Sequence, residues 1–261
     1  MLPETGSVLG IDVGWSLRNA SSGICRLDWD GATVTWTIRH FTGHADTRRD
    51  MVMEVCGAQH LLAAALDGPL RGDLAVIDRF RLAERALSNK AIASRISQPG
   101  SSRSPVGRLL NHHTNEFARL LLERGMIAEA SHPHAIHKVA LAEAFPTGFL
   151  GLLHSDPQKG PRQKRSDRYY EALVADGTLE RLLEHHLPGR TLAFGLATVT
   201  NHDDRAALVC AITALGVASN DYTAVGDLDG WIILPPPAFI AAWAVSLVER
   251  WNQAPESGLS P

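Results

Sequence analysis

The chain has 261 residues, 45% of them hydrophobic and 20% charged, which excludes a disulfide-stapled miniprotein, a fibrous repeat and a disordered polymer. Its formal net charge of -3 gives no global attraction to polyanions, so contact with nucleic acid requires a local basic patch. The longest nearly apolar stretch, Ala238 to Val248, is far shorter than the roughly 20 residues of a membrane helix, and no basic segment followed by an apolar run opens the chain, so a cytoplasmic protein is expected.

Ser7 to Val13 is an apolar run that ends in Asp12 and Gly14. The next two runs, Ala20 to Trp29 and Ala32 to Phe41, are rich in Val, Ile, Thr and Trp and are joined by Asp30-Gly31, a hairpin signal. These predict an antiparallel three-strand meander. Thr47-x-x-Asp50 resembles a capping box and precedes Met51, Val52, Val55, Ala58, Leu61, Leu62, Ala65 and Leu66 at helical spacing, which predicts one helix stopped at Gly68-Pro69. Leu74 to Ile77, followed by Asp78, reads as a buried parallel strand.

Helices are expected from Arg79 to about Ala93 and through His113 to Arg124, with the loop Gln98 to Pro105 between them. Val139 to Phe145 reads as a fifth strand, and the polar segment Asp156 to Arg168 as an exposed loop before a helix from about Tyr169 to His185. Asn201-His202-Asp203-Asp204 caps a long helix; Trp231 to Leu234 and Phe239 to Trp251 close the chain as a strand and a helix. The order β-β-β-α-β-α-β-α predicts an α/β fold with a mixed sheet and helices on both faces. It is read as a single domain over residues 1–252, with inserted segments near 94–135 and 155–190 and a tail at 253–261. Cys25, Cys56 and Cys210, an odd number without a CxxC pair, argue against a disulfide framework and against a thiolate zinc site.

Three carboxylates mark strand ends: Asp12, Asp78 and Glu143. Open α/β sheets place their sites at the carboxyl ends of strands, and Asp203 and Asp204 at a helix N-terminus can join them. Each has a plain alternative: Asp12 and Asp78 as turn formers, Asp203 and Asp204 as helix caps. Glu143 is the most informative, because a carboxylate within Val-Ala-Leu-Ala-Glu-Ala-Phe is costly to bury alone. Two carboxylates about 4 Å apart repel by roughly 4 kcal/mol at an effective dielectric near 20, so such a cluster takes up protons or a cation. Oxygen donors point to Mg²⁺ or Mn²⁺.

An ordered set of segments carries a resemblance. Leu9-Gly-Ile-Asp-Val-Gly-Trp15, Ala75-Val-Ile-Asp78, Arg81-x-x-Glu84-Arg85-x-Leu87, Ala142-Glu-Ala-Phe-Pro146, the helix from His202 to Ala214 and Gly230 to Pro235 together resemble a predicted ribonuclease H-like nuclease family, domain of unknown function 429, over about Val8 to Pro236. The resemblance implies a ribonuclease H-like sheet and a two-ion Mg²⁺ or Mn²⁺ site on Asp12, Asp78, Glu143 and Asp203 or Asp204, with nucleic acid as substrate. Two departures stand out. Arg79-Phe80 follows Asp78 where the family has a small residue, Pro and Leu, a pattern carried instead by Asp67-Gly-Pro-Leu70, which makes Asp67 a rival. Ala206 stands where the family commonly has a second Asp.

His202 beside the acidic pair is a candidate for positioning water or the leaving group. Lys159, Arg162, Lys164, Arg165 and Arg168 form a basic segment able to grip phosphates, or merely a solvated loop. His132-Pro-His134-x-x-His137 offers imidazoles without a thiolate. Two further functions are open: an actin-like or sugar-kinase-like phosphotransferase, from Ile11-Asp-Val-Gly-Trp-Ser16, and a non-catalytic nucleic-acid-binding module with a degenerate metal site, from Ala206.

Overall fold

The computed structural model describes residues 2–131, 134, 138–157 and 165–251. Gly6–Asp12 (β1), Ser22–Trp29 (β2) and Thr33–Phe41 (β3) form the antiparallel meander that the sequence predicts. Its Asp30 turn works through the side chain: Oδ1 accepts the N–H groups of Ala32 at 2.8 Å and Thr33 at 2.7 Å, an Asx-type closure that leaves Gly31 outside the left-handed region.

Ala45–Cys56 (α1) ends at Gly57, whose φ of 54° is left-handed and whose N–H bonds Met53 O. The expected helix therefore stops well short of Leu66. Ala63–Asp67 (β4) is instead a parallel strand between β1 and β5, the strand Leu141–Ala144. The alanines and the leucine of β4 favour helix in isolation, but a slot with strands on both sides, α8 over one face and both faces buried overrides that preference.

The expected strand at Leu74–Ile77 is likewise absent; this segment is a loop. Its backbone bonds side chains of Pro105–Arg124 (α4): Asn111 Oδ1 accepts Ile77 N–H at 3.0 Å, and Asn115 Nδ2 donates to Leu74 O at 3.0 Å. Between loop and α4 come two short helices, Leu82–Leu87 (α2) and Lys90–Ala93 (α3).

Pro146–Leu153 (α5) follows β5. The single helix expected near Tyr169–His185 is two, Arg165–Ala175 (α6) and Thr178–His186 (α7), broken at left-handed Gly177. After the two-residue strand Thr191–Leu192 (β6), the long helix His202–Ser219 (α8) is capped by Asn201 and closed by left-handed Asn220. Thr223–Asp227 (β7) and Gly230–Leu234 (β8) pair antiparallel, and Val245–Glu249 (α9) is shorter than the terminal helix the sequence predicts.

The strands form one eight-stranded mixed sheet in the order β6-β3-β2-β1-β4-β5-β8-β7. The chain is thus α/β, and its central run β3-β2-β1-β4-β5, with β2 alone reversed against β1, agrees with the expected ribonuclease H-like sheet. Helix α8 crosses β1, β2 and β4 at close range. A Cβ on Gly10 would collide with the backbone of Ala207 and Ala211, and one on Gly23 with the carbonyl of Asp203. Among the described residues no helix is long and apolar enough to cross a membrane.

Candidate active site

Parallel pairing sets Asp12, the last residue of β1, opposite Asp67, the last of β4. Partners in register point to the same side, and Gly10, two residues before Asp12, lies under α8, so both carboxylates emerge on the face that α8 covers. The first turn of α8 stands over Gly23, the register partner of Asp12 on β2. Asn201 Oδ1 accepts the N–H groups of Asp203 at 2.8 Å and Asp204 at 3.3 Å, which fixes where the two acidic side chains depart from the helix.

Carboxylates outweigh the histidines that offset them here. Burial, then the charges of Asp67 and Asp203, pushes Asp12 well above the ordinary carboxylate range. Asp67 is pushed up to about 7 by burial and then by Glu143, while His202 pulls it back. Of the acidic pair on α8, Asp203 is the one that acts on Asp12. Asp204 stands 3.6 Å from His40 Nδ1, and burial raises its carboxyl while His40 lowers it.

Asp67, rather than Asp78, is therefore the second strand carboxylate. Asp78 lies on the loop before α2 with its side chain 74% exposed, 4.0 Å from the neighbouring Arg79 and in no strand.

Glu143 is also placed differently from the sequence expectation. It pairs with Leu66, so alternation sends its side chain to the face opposite Asp12 and Asp67. There Arg81 Nη1 and Nη2 reach its two oxygens at 2.7 Å each, and Leu70 N–H donates to Oε2 at 2.9 Å. Arg81 also donates to Glu84 Oε1 at 2.9 Å, and Glu84 accepts Ser102 N–H at 3.2 Å as well as the Ser102 hydroxyl. The guanidinium supplies at Glu143 the positive charge that a metal ion would otherwise bring. The Arg81-x-x-Glu84 segment is thus a buried clamp between β5 and the Asp67-Gly-Pro-Leu70 loop.

His202 lies at the rim, its Nδ1 2.9 Å from Asp167 Oδ1, and Arg205 Nη1 is 3.5 Å from the same oxygen. Asp167 has no distinguishing mark in the sequence, where it stands in a run of charged residues; only the docking of α6 against α8 shows its role.

The basic segment is only partly in view. Lys159, Arg162 and Lys164 lie outside the described residues. Arg168 is exposed at the surface, whereas Arg165 is buried and donates to Ser97 Oγ at 3.0 Å, so it is not a surface base awaiting phosphate. His132 and His137 also lie outside the described residues, and His134 is a packing residue, 2.9 Å from the Tyr222 hydroxyl and edge-on to Trp231. In the loop after β1, the N–H groups of Gly14 and Ser16 are spent on Ser22 Oγ at 3.0 Å and Ser21 Oγ at 3.1 Å, which leaves them no role in cradling a phosphate.

No protein-family model matches the chain, and no curated protein or solved structure is significantly similar to it.

Proposed function

We propose that this protein is a divalent-metal-dependent phosphodiesterase that hydrolyses nucleic acid, as its resemblance to the predicted ribonuclease H-like family implies, with Asp12, Asp67 and Asp203 as the metal-holding carboxylates. The observation that carries the reading is the register pair Asp12–Asp67, two carboxylates at adjacent strand ends, both raised by burial, Asp12 further by the charge of Asp67 and Asp67 by that of Glu143. The charges acting most strongly on the pair come from Asp203, Glu143 and His202, none of them a lysine or arginine.

The donors fit hard cations. All three are carboxylate oxygens, the donor type of Mg²⁺ and Mn²⁺. Asp12, Asp67 and Asp203 would hold such a cation, although their oxygens do not gather within 4.8 Å as the donor atoms of the two histidine-containing groups among the described residues do. Such ions, when bound, activate the attacking water and stabilise the leaving oxygen.

The chain's own part is positional and protonic. The backbone of Asp12 and Asp67 is set by strand pairing and that of Asp203 by the Asn201 cap, so the points from which the carboxylates project are fixed before a cation arrives. Asp167 accepts the Nδ1 hydrogen of His202, which leaves the Nε2 lone pair to accept a hydrogen bond from the attacking water and orient it.

The test is cleavage of labelled single-stranded DNA, duplex DNA, single-stranded RNA, hybrid and branched substrates with Mg²⁺ or Mn²⁺. Metal-dependent cutting that Asp12→Asn and Asp67→Asn abolish and Asp78→Asn leaves intact is the expected result. Cutting by Asp12→Asn at the wild-type rate refutes the reading.

A second reading, a nucleic-acid-binding module that does not cut, is favoured by Glu143, whose carboxylate is taken by Arg81. Calorimetry separates the two: heat of Mn²⁺ binding at millimolar concentration belongs to the nuclease, and its absence to the module.

A further inference from the structure

At the other end of α8, roughly 27 Å from its first turn at 1.5 Å per residue, two histidines and an aspartate converge without belonging to the acidic site. His185 and His186 end α7, and Asp221 follows the left-handed Asn220 that closes α8. One donor atom from each lies within 4.8 Å of the others, and His185 Nε2 is 2.6 Å from Asp221 Oδ2.

His186 carries the argument. It is 7% exposed, and its Nε2 is buried with no hydrogen-bond partner. Its Nδ1 lies 3.0 Å from Ser219 Oγ, and that hydroxyl lies 3.0 Å from Gly216 O. A carbonyl only accepts, so the serine spends its one hydrogen on Gly216, and His186 Nδ1 must carry the hydrogen between ring and hydroxyl. The remaining nitrogen, Nε2, therefore presents a bare lone pair inside the protein. Leaving such an acceptor unsatisfied is costly, and an imidazole oriented by a hydrogen bond through its other nitrogen is the arrangement of a metal ligand.

We propose that His185, His186 and Asp221 form a binding site for a zinc-class transition ion, which ties the end of α7 to the turn after α8. Two imidazoles and one carboxylate suit Zn²⁺ and not Mg²⁺. Ser219 orients His186, and Phe239 packs edge-on against His185 with ring centres 5.1 Å apart. The other histidine group, His112, His113 and Glu116, differs in one respect: the Arg48 guanidinium already occupies it, bonded to Glu116 and 3.0 Å from His113 Nδ1.

The test is a titration of the full chain, stripped of metal, with Zn²⁺ and then Co²⁺ in the presence of excess Mg²⁺, read by the visible absorption of the cobalt form and by the thermal midpoint. One equivalent is expected to bind and raise the midpoint. Ser219→Ala weakens binding about 10-fold by freeing the ring, and Asp221→Asn, at a partly exposed position that does not threaten folding, weakens it at least as much. Asp12→Asn and His112→Ala leave it unchanged. The proposal fails if no stoichiometric Zn²⁺ binding occurs, or if it persists undiminished in Asp221→Asn and Ser219→Ala.

Discussion

Arg81 and Glu143 are 62 residues apart in the chain and meet as a two-pronged ion pair, with both prongs at 2.7 Å and scarcely any exposure on either side chain. A guanidinium in that fork is a structural tie between β5 and the loop that follows β4, and it separates the roles of two carboxylates on neighbouring strands. Asp67 faces α8 beside Asp12, whereas Glu143 is committed to Arg81 on the opposite face.

Arg81→Met strips the positive partner from both Glu143 and Glu84 and is expected to cost about 3–5 kcal/mol in urea unfolding, the range for breaking a buried pair from one side. Glu143→Gln keeps an acceptor for Arg81 and is milder, about 1–2 kcal/mol. In the same Glu143→Gln protein Mn²⁺ affinity should stay within about twofold of wild type by titration, since this carboxylate is turned away from the metal-holding face.

Asp67 makes stability depend on pH. Its folded value of about 7 lies above the ordinary carboxylate value of 3.8, so between these limits the native state holds more protons than the unfolded one, and stability falls as pH rises across that window. Asp67→Asn removes this loss. Metal-free thermal melts should show the variant more stable than wild type by about 4 kcal/mol at pH 8, with the gap closing towards pH 4.

Metal affinity should follow the same group in the opposite sense. A cation competes with the proton held at the Asp12–Asp67 pair, so Mn²⁺ binding measured by calorimetry tightens as pH rises from 6 to 8 and releases protons to the buffer. In Asp67→Asn this pH dependence should weaken and not vanish, because burial still holds a proton on Asp12.

Gly23→Ala tests the approach of α8. A methyl there meets the Asp203 carbonyl and the Ala207 side chain, so the helix must shift, at about 1–3 kcal/mol in stability and with loss of Mn²⁺ affinity because Asp203 moves with it. Asn201→Ala should lower stability by about 1 kcal/mol, as loss of a helix cap does.

Much of the sheet was legible because its signals are local. The β1 run, the Asp30 turn and the Asn201 cap each act within a few residues. Asp67 was harder to place, because Ala63-Ala-Ala-Leu66 becomes a strand only by being enclosed between β1 and β5. Leu74 to Ile77 misleads in the converse way: its composition suits a strand, but Asn111 and Asn115 of a later helix take its backbone groups. The Arg81–Glu143 fork and the Asp167–His202 contact join segments distant in sequence, and no spacing rule reports them. Asp12, Asp203 and His202 were identifiable from the sequence as candidates, whereas their shared geometry exists only after α8 docks.

The glycines at 10 and 23 also bear on the order of synthesis. They shape the face of β1, β2 and β4 to receive α8, yet α8 begins at residue 202, so that face stays bare on a ribosome-bound chain until most of the protein has emerged. A nascent chain halted before His202 exposes apolar strands that only this helix covers, which makes it prone to aggregate and a client for chaperones. The candidate site stays incomplete for the same interval, because Asp203 and His202 arrive on the element that closes the core.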